Sequence, residues 1–442
     1  MKNKRKLMAS ALAVVMTAGL LFGCSVAENK PAEETTTADQ GSAVENTIIT
    51  VWAWDDNYNV PIMKLAAEYY AKEHPEVSVE VISLAKEDVY TKMQTTLAGG
   101  GSGMPDIVLM EDYVSGKYLK SFKGSFADLT DQVDYNNFLD FKKASVSYDG
   151  KQYGVPLDTG ASVLFYRTDM LEKAGFKEED IENCTWEKFM EIGEAVKATS
   201  GADMIVEMAA NKTTLLRSMM QSAGCWYFDE NGNIDITENE ALKAGFDIIK
   251  QMKDKGILFE AEGTGDRAGA LNSGKVAAIV NGPWMASTIK AAEDQSGLWK
   301  ITTTPRFSNL EGAVNASNLG GSSWYVAEKS ANKDVAIDLL KTVFTDTEYY
   351  KEIMLDYACV SGYKPALSGE AFETEDEYFS NQKIYALFAD TLDKVPGVNY
   401  GGYVAEANDA VTTGLSAYMS GSATIEEGLA AADEQLKNQL GK

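Results

Sequence analysis

The sequence predicts an α/β protein with chain enough for two or three domains, and three observations carry that prediction. Its 442 residues divide at roughly 150 per domain. A hydrophobic fraction of 45% with 24% charged residues and 10% aromatics supports buried cores rather than disorder. From Thr47 onward, short β-branched runs alternate with stretches of helical apolar spacing, the pattern of a parallel sheet covered on both faces by helices.

The chain opens differently. Lys2, Lys4, Arg5 and Lys6 precede an apolar run over residues 7–22, so residues 1–23 read as a signal peptide. It ends in Leu21-Phe22-Gly23-Cys24, which resembles the bacterial lipobox and makes Cys24 the candidate lipidated N-terminus. The competing readings are an incidental cysteine or an uncleaved anchor. Residues 24–46 hold no aromatic group and few large apolar ones, so they read as a flexible tether. No later stretch approaches the ~20 apolar residues of a membrane span.

The first strand falls at 48–52, a helix at 61–74, a second strand at 77–81 and a second helix at 88–98. Glycines 99–103 connect to a third strand at 107–110. Ligands of such sheets bind beyond the carboxyl ends of the strands, which makes Trp54, Asp55 and Asp56, then Glu111 and Asp112, candidate site residues. Residues 153–166 form a long extended stretch broken at Asp158-Thr159-Gly160, suited to crossing between two domains. Helices at 169–174, 186–198 (N-cap Thr185) and 239–255 follow. A strand at 276–280 runs into Asn281-Gly282-Pro283-Trp284, which projects Trp284 from a loop. After Gly321 comes a strand carrying Trp324, then a helix at 333–344. The last helix, 425–439, opens with a capping box at Thr424 and Glu427.

Several chemistries are excluded. A net charge of −26 repels polyanions, so no nucleic acid partner is expected. A single histidine, His74, rules out sites built on two imidazoles, and Cys24, Cys184, Cys225 and Cys359 lack metal-ligand spacing. Residues 229–240 imitate a calcium loop, but Ile234 stands where that loop needs glycine, and Asn231-Gly232 signals a hairpin. There is no phosphate loop and no nucleophile elbow. No cofactor and no metal is expected.

The order of the segments TVWAWDD, GMPDIVLMED, GKQYGVPLDTGASVLFYRTDMLEKAGF, GKVAAIVNGPWM and NLGGSSWYVAEKSANKDVAIDLLKTV resembles the extracellular solute-binding proteins of carbohydrate ABC importers, family 1. The resemblance spans almost the whole chain after the tether. It implies a two-lobed, periplasmic-binding-protein-like α/β fold, each lobe a mainly parallel sheet flanked by helices, with the ligand cleft between the lobes. One lobe takes 47–157 and 305–332, the other 158–304 and 333–442. It further implies a monomeric, non-enzymatic receptor that hands an oligosaccharide to ABC permease subunits. The membrane contact would be by lipid alone, on the extracellular face of a Gram-positive cell.

Sugars present C–H faces that pack on aromatic rings and hydroxyl edges that suit carboxylates and amides. By that chemistry and the resemblance, Trp284 is expected to stack on sugar and Asp158 to bind hydroxyls. Trp54, Asp55, Asp56, Glu111, Asp112, Gly321, Trp324 and Tyr403 complete the expected site. Trp324, lying on a strand, has the core as its competing role, and Asp55 or Asp56 could instead cap the following helix. Two other classes stay open: a polyamine receptor, and a secreted glycoside hydrolase using two of the 66 acidic residues.

Overall fold

The β-branched run after the tether forms the strand Thr47–Ala53, with Ile49, Val51 and Ala53 fully buried. The computed structural model describes residues 46–56, 58–209 and 213–441, so the expected signal peptide, Cys24 and nearly all of the tether lie outside the described residues. Thr47–Ala53 runs parallel to Val77–Ser83 on one side and to Ile107–Glu111 on the other. Ser322–Val326 then joins antiparallel to Ile107–Glu111, and Gly154–Pro156 antiparallel at its far side. The second sheet runs Trp299–Thr303, Ala161–Arg167, Val276–Asn281, Asp203–Met208, Leu258–Ala261.

Both sheets are mixed rather than mainly parallel. In the second, Ala161–Arg167 is antiparallel to both of its neighbours, while Asp203–Met208 is parallel to both of its own. A parallel partner requires a crossover through a covering helix. Ser322–Val326 and Ala161–Arg167 instead follow segments that pass directly from one sheet to the other, and each inserts in the opposite sense.

Those crossings lie side by side. Leu157 N donates to Ser322 O (3.0 Å), Leu319 N to Gly160 O (2.7 Å) and Thr159 N to Val360 O (2.7 Å). The break expected at Asp158-Thr159-Gly160 is one of these crossings, since Gly154–Pro156 belongs to the first sheet and Ala161–Arg167 to the second.

Each sheet has its own core, and the later helices divide between them differently from the expected lobe boundaries. Phe307 and Leu319 pack in a core of the second sheet, and Ser317–Asn318 pairs with Ala161–Arg167. Helices Lys333–Val343 and Thr347–Tyr357 cover the first sheet, with Leu339, Leu340, Tyr349, Tyr350 and Ile353 in its core. Residues 305–319 therefore go with the second sheet and 333–359 with the first, the reverse of the expected assignment. An apolar stripe does not specify which sheet it covers. The short connection after Ser322–Val326 leaves the next helix beside the strand it follows.

Two smaller expectations are met: Phe228 bridges Ile234 around the tight turn at Asp229, and the capping box at Thr424 and Glu427 forms. Cys184, Cys225 and Cys359 are free thiols.

Candidate functional site

A cleft of about 730 Å³ opens where strand ends of the two sheets face each other across the crossings, within the roughly 300–1,000 Å³ range of sites for small ligands. Its first wall is the end of Thr47–Ala53 and the turn after it. Asp55 adopts φ 70°, and its carbonyl accepts from Tyr58 N and Val60 N, which starts the helix Asn59–Ala71. That turn brings half-buried Trp54 and Tyr58, exposed Asp55 and buried Asn59 to the cleft, with Trp54 tilted against Tyr90 at 5.8 Å. Asp56, within the turn, is exposed and outside the lining.

Glu111 ends its strand and lines the same wall, with both carboxylate oxygens engaged. Oε1 accepts from Lys86 Nζ (3.2 Å) and Tyr113 Oη (2.8 Å), and Oε2 from Tyr90 Oη (3.2 Å). Its neighbour Asp112 points the other way, an alternation that period-two strand geometry carries into the helix that follows. Asp112 is buried, pairs with the fully buried Lys142 and accepts from Ser323 Oγ (2.9 Å). Burial pushes its carboxyl up and the Lys142 charge opposes that shift. Asp112 therefore supports the site from behind and does not line it.

Asp158 forms the floor, on the crossing itself. Its carboxylate accepts from Tyr58 Oη (2.9 Å) and Ser322 N (2.7 Å). Burial pushes its pKa up to about 6, against the pull of Lys142. Gly321 sits beside it at φ 93°, where a Cβ would fall 2.8 Å from Asp112 Oδ2 and 3.1 Å from Asp158 O. Only glycine lets the second crossing pass over the buried ion pair.

The second wall comes from the other sheet. Val276–Asn281 ends at Asn281, whose Oδ1 accepts from Gly282 N. Trp284, half-buried at the start of the helix Met285–Lys290, lays its ring across Gly282, where a Cβ would stand 2.4 Å from the indole. Helix Thr213–Ser222 contributes Thr214 and Arg217, and helix Thr264–Asn272 contributes Arg267. The Arg217 guanidinium lies over the Tyr113 ring at 5.2 Å. Behind them Glu207 is buried, and burial raises its pKa to about 7 despite backbone N–H bonds from Leu215 and Met208 and the two arginine charges.

Trp54, Asp55, Glu111, Asp158, Trp284 and Gly321 are thus brought together, whereas Asp56, Asp112, Trp324 and Tyr403 are not. Trp324 is fully buried, paired across the sheet with Leu109 and Val155 and packed on Phe344. Tyr403 packs against a core of the second sheet with Lys120 over its ring. Residues that sequence reasoning missed are Tyr58, Asn59, Lys86, Tyr113, Arg217, Arg267 and Asn281. One signal was available: only five of the 40 basic residues are arginines, and two of those five line the cleft.

Two lobes, a cleft at their strand ends and aromatic side chains among fixed polar groups define a receptor for a small polar solute. The bacterial extracellular solute-binding protein family matches over residues 64–379, and the chain belongs to that family. It is 45% identical over 394 residues to the lactose-binding protein of Rhizobium radiobacter, covering 89% of this chain and 93% of that protein. It is 25% identical over 414 residues to the arabinooligosaccharide-binding protein of Bacillus subtilis (strain 168), covering 89% and 92%. The sugar-binding protein MalE of Xanthomonas citri shares the fold, with TM-score 0.76 at 16% identity over 89% of this chain and 98% of that one.

Proposed function

We propose that the protein captures a neutral di- or oligosaccharide outside the cell, with lactose the first candidate, and delivers it to the permease subunits of an ABC transporter. The observation that carries this reading is the pair of tryptophans, Trp54 and Trp284, on opposite walls of one cleft. Two aromatic walls suit the C–H faces of a pyranose, and the polar groups between them suit its hydroxyl edge. The lactose-binding relative supports the choice of sugar.

Its carboxylates act as fixed acceptors. Glycoside hydrolysis needs a proton donor and a second carboxylate across the scissile bond. Glu111 is held by Lys86 and two tyrosine hydroxyls, and Asp158 by Tyr58 and a backbone N–H, an arrangement that holds a ligand rather than cleaves one. The receptor works as a monomer, tethered by lipid on Cys24 to the outer face of a Gram-positive cell membrane. Metabolic lipid labelling tests the anchor: Cys24→Ala should abolish it, and persistence of label would refute the assignment.

A melting-temperature screen with lactose, maltose and arabinooligosaccharides tests the ligand class. A sugar at 100 times its Kd adds about 2.7 kcal/mol of stability, and lactose should give the largest rise. If none of the neutral sugars raises the melting temperature, the reading fails.

A further inference from the structure

Two residues that line the cleft each carry a buried polar atom without a hydrogen-bond partner among the described residues: Asn59 Oδ1 on the first wall and Arg267 Nε on the second. Other such atoms, among them Trp186 Nε1, Trp226 Nε1 and Trp324 Nε1, belong to residues away from the cleft lining. Asn59 is only 4% exposed and opens the helix Asn59–Ala71 at the strand end. Arg267 stands on Thr264–Asn272 within the electrostatic reach of buried Glu207. Glu207 supplies charge and no hydrogen bond to that nitrogen; its oxygens accept from the N–H groups of Met208 (2.7 Å) and Leu215 (2.6 Å).

A buried polar atom without a partner costs free energy, and on a residue that lines a ligand cleft a bound molecule is one way to supply the partner. The two atoms have opposite needs. Asn59 Oδ1 requires a donor, and Arg267 Nε requires an acceptor. An ammonium group offers donors only, and a carboxylate offers acceptors only. Hydroxyl groups offer both.

We infer that Asn59 and Arg267 are ligand-binding residues that select a neutral polyhydroxylated ligand, Asn59 Oδ1 accepting from one ligand hydroxyl and Arg267 Nε donating to a ligand oxygen. The inference deepens the carbohydrate reading above and rests on it. Neither residue need meet the same hydroxyl. Together they reject polyamines, which leave Arg267 unsatisfied, and any pose that turns only acceptors toward Asn59.

Calorimetric titration tests it, with lactose and neutral oligosaccharides as probes against spermidine and galacturonate, on the unaltered protein and on Asn59→Leu, Asn59→Asp and Arg267→Met. The unaltered protein should bind a neutral sugar and not spermidine, and should bind galacturonate, if at all, more weakly than the neutral sugar. Asn59→Leu and Arg267→Met should each weaken that sugar at least about tenfold without lowering the unliganded melting temperature, since each removes an orphaned polar atom. Asn59→Asp keeps the acceptor and should retain binding better than the leucine variant. Binding of a neutral sugar that both Asn59→Leu and Arg267→Met leave within twofold overturns the pair while the carbohydrate reading stands. Binding of spermidine or galacturonate in place of every neutral sugar overturns both. Should a variant fail to fold, monodeoxy-lactoses on the unaltered protein decide: losses of about tenfold at two or more positions support the pair, and a flat series removes it.

Discussion

The two walls of the cleft are made by opposite strategies. On the first wall and floor, polar groups are tied to one another: Glu111 to Lys86, Tyr90 and Tyr113, and Asp158 to Tyr58 and Ser322, with the Asp112–Lys142 pair beneath. On the second wall, Trp284 rests on a glycine, Arg217 lies on a ring contributed by the opposite wall, and Arg267 Nε has no partner among the described residues. Apart from Asn59 Oδ1, the first wall is organised by its own contacts, whereas the second is expected to be completed by ligand. Substitutions on the first side, Asn59 excepted, should therefore be read chiefly in stability, and those on the second chiefly in affinity.

The largest expected effect lies beneath the first wall. Lys142→Met leaves Asp112 as an uncompensated buried charge, which costs about 3–5 kcal/mol, measurable by urea unfolding without ligand. A loss under about 1 kcal/mol would mean that the pair does not organise that wall.

The next effect is a pH response. Asp158 and Glu207 have folded-state pKa values of about 6 and about 7, above their ordinary 3.8 and 4.5. Between the ordinary and the raised value the folded state binds more protons than the unfolded one, so these groups make stability fall as pH rises through that window. Unliganded melting temperatures should decline from about pH 4 to about pH 7, and Asp158→Asn and Glu207→Gln should each flatten part of the decline. A decline that neither change alters would contradict the burial account.

Trp284→Ala comes third and tests the second wall. It removes an aromatic face worth about 0.5–1.5 kcal/mol beyond its apolar area at ~25 cal/mol per Å². Sugar affinity should fall at least about tenfold with little change in unliganded melting temperature. Intact affinity with the ~3–5 kcal/mol stability loss of a core aromatic would place it on the wrong side of the comparison. The smallest effect is Tyr113→Phe, which removes one hydrogen bond to Glu111 worth roughly 0.5–1.5 kcal/mol, read again by urea unfolding.

The first wall was the more legible one in the sequence. Trp54 and Glu111 stand at ends of apolar strands, and Asp158 interrupts a long extended run, so hydropathy alone marks their places. Trp284 was visible for a different reason, the Gly-Pro turn in front of it. Arg217 and Arg267 lie on short amphipathic helices, where a charged residue reads as solvated surface until the opposing sheet is in place. Lys142 was equally hidden, since nothing in Asp140-Phe141-Lys142-Lys143 tells which lysine is fully buried. Trp324 entered the expected site through the resemblance of its segment, and the competing core role holds because every residue of Ser322–Val326 is buried. The lobe boundaries after residue 305 failed for a related reason: pattern shows that a helix has an apolar face, and only the crossings decide which sheet receives it.

A neutral sugar is expected to sit between the walls, completing the second one and Asn59 Oδ1 on the first. A crystal structure with lactose, or with whichever neutral sugar gives the largest melting shift, tests it most directly. A pyranose ring should lie against the Trp284 indole, with sugar oxygens within hydrogen-bond distance, about 3.2 Å or less, of Asn59 Oδ1 and Arg267 Nε. Sugar bound outside the cleft, or inside it with both of those atoms still unpartnered, would contradict it.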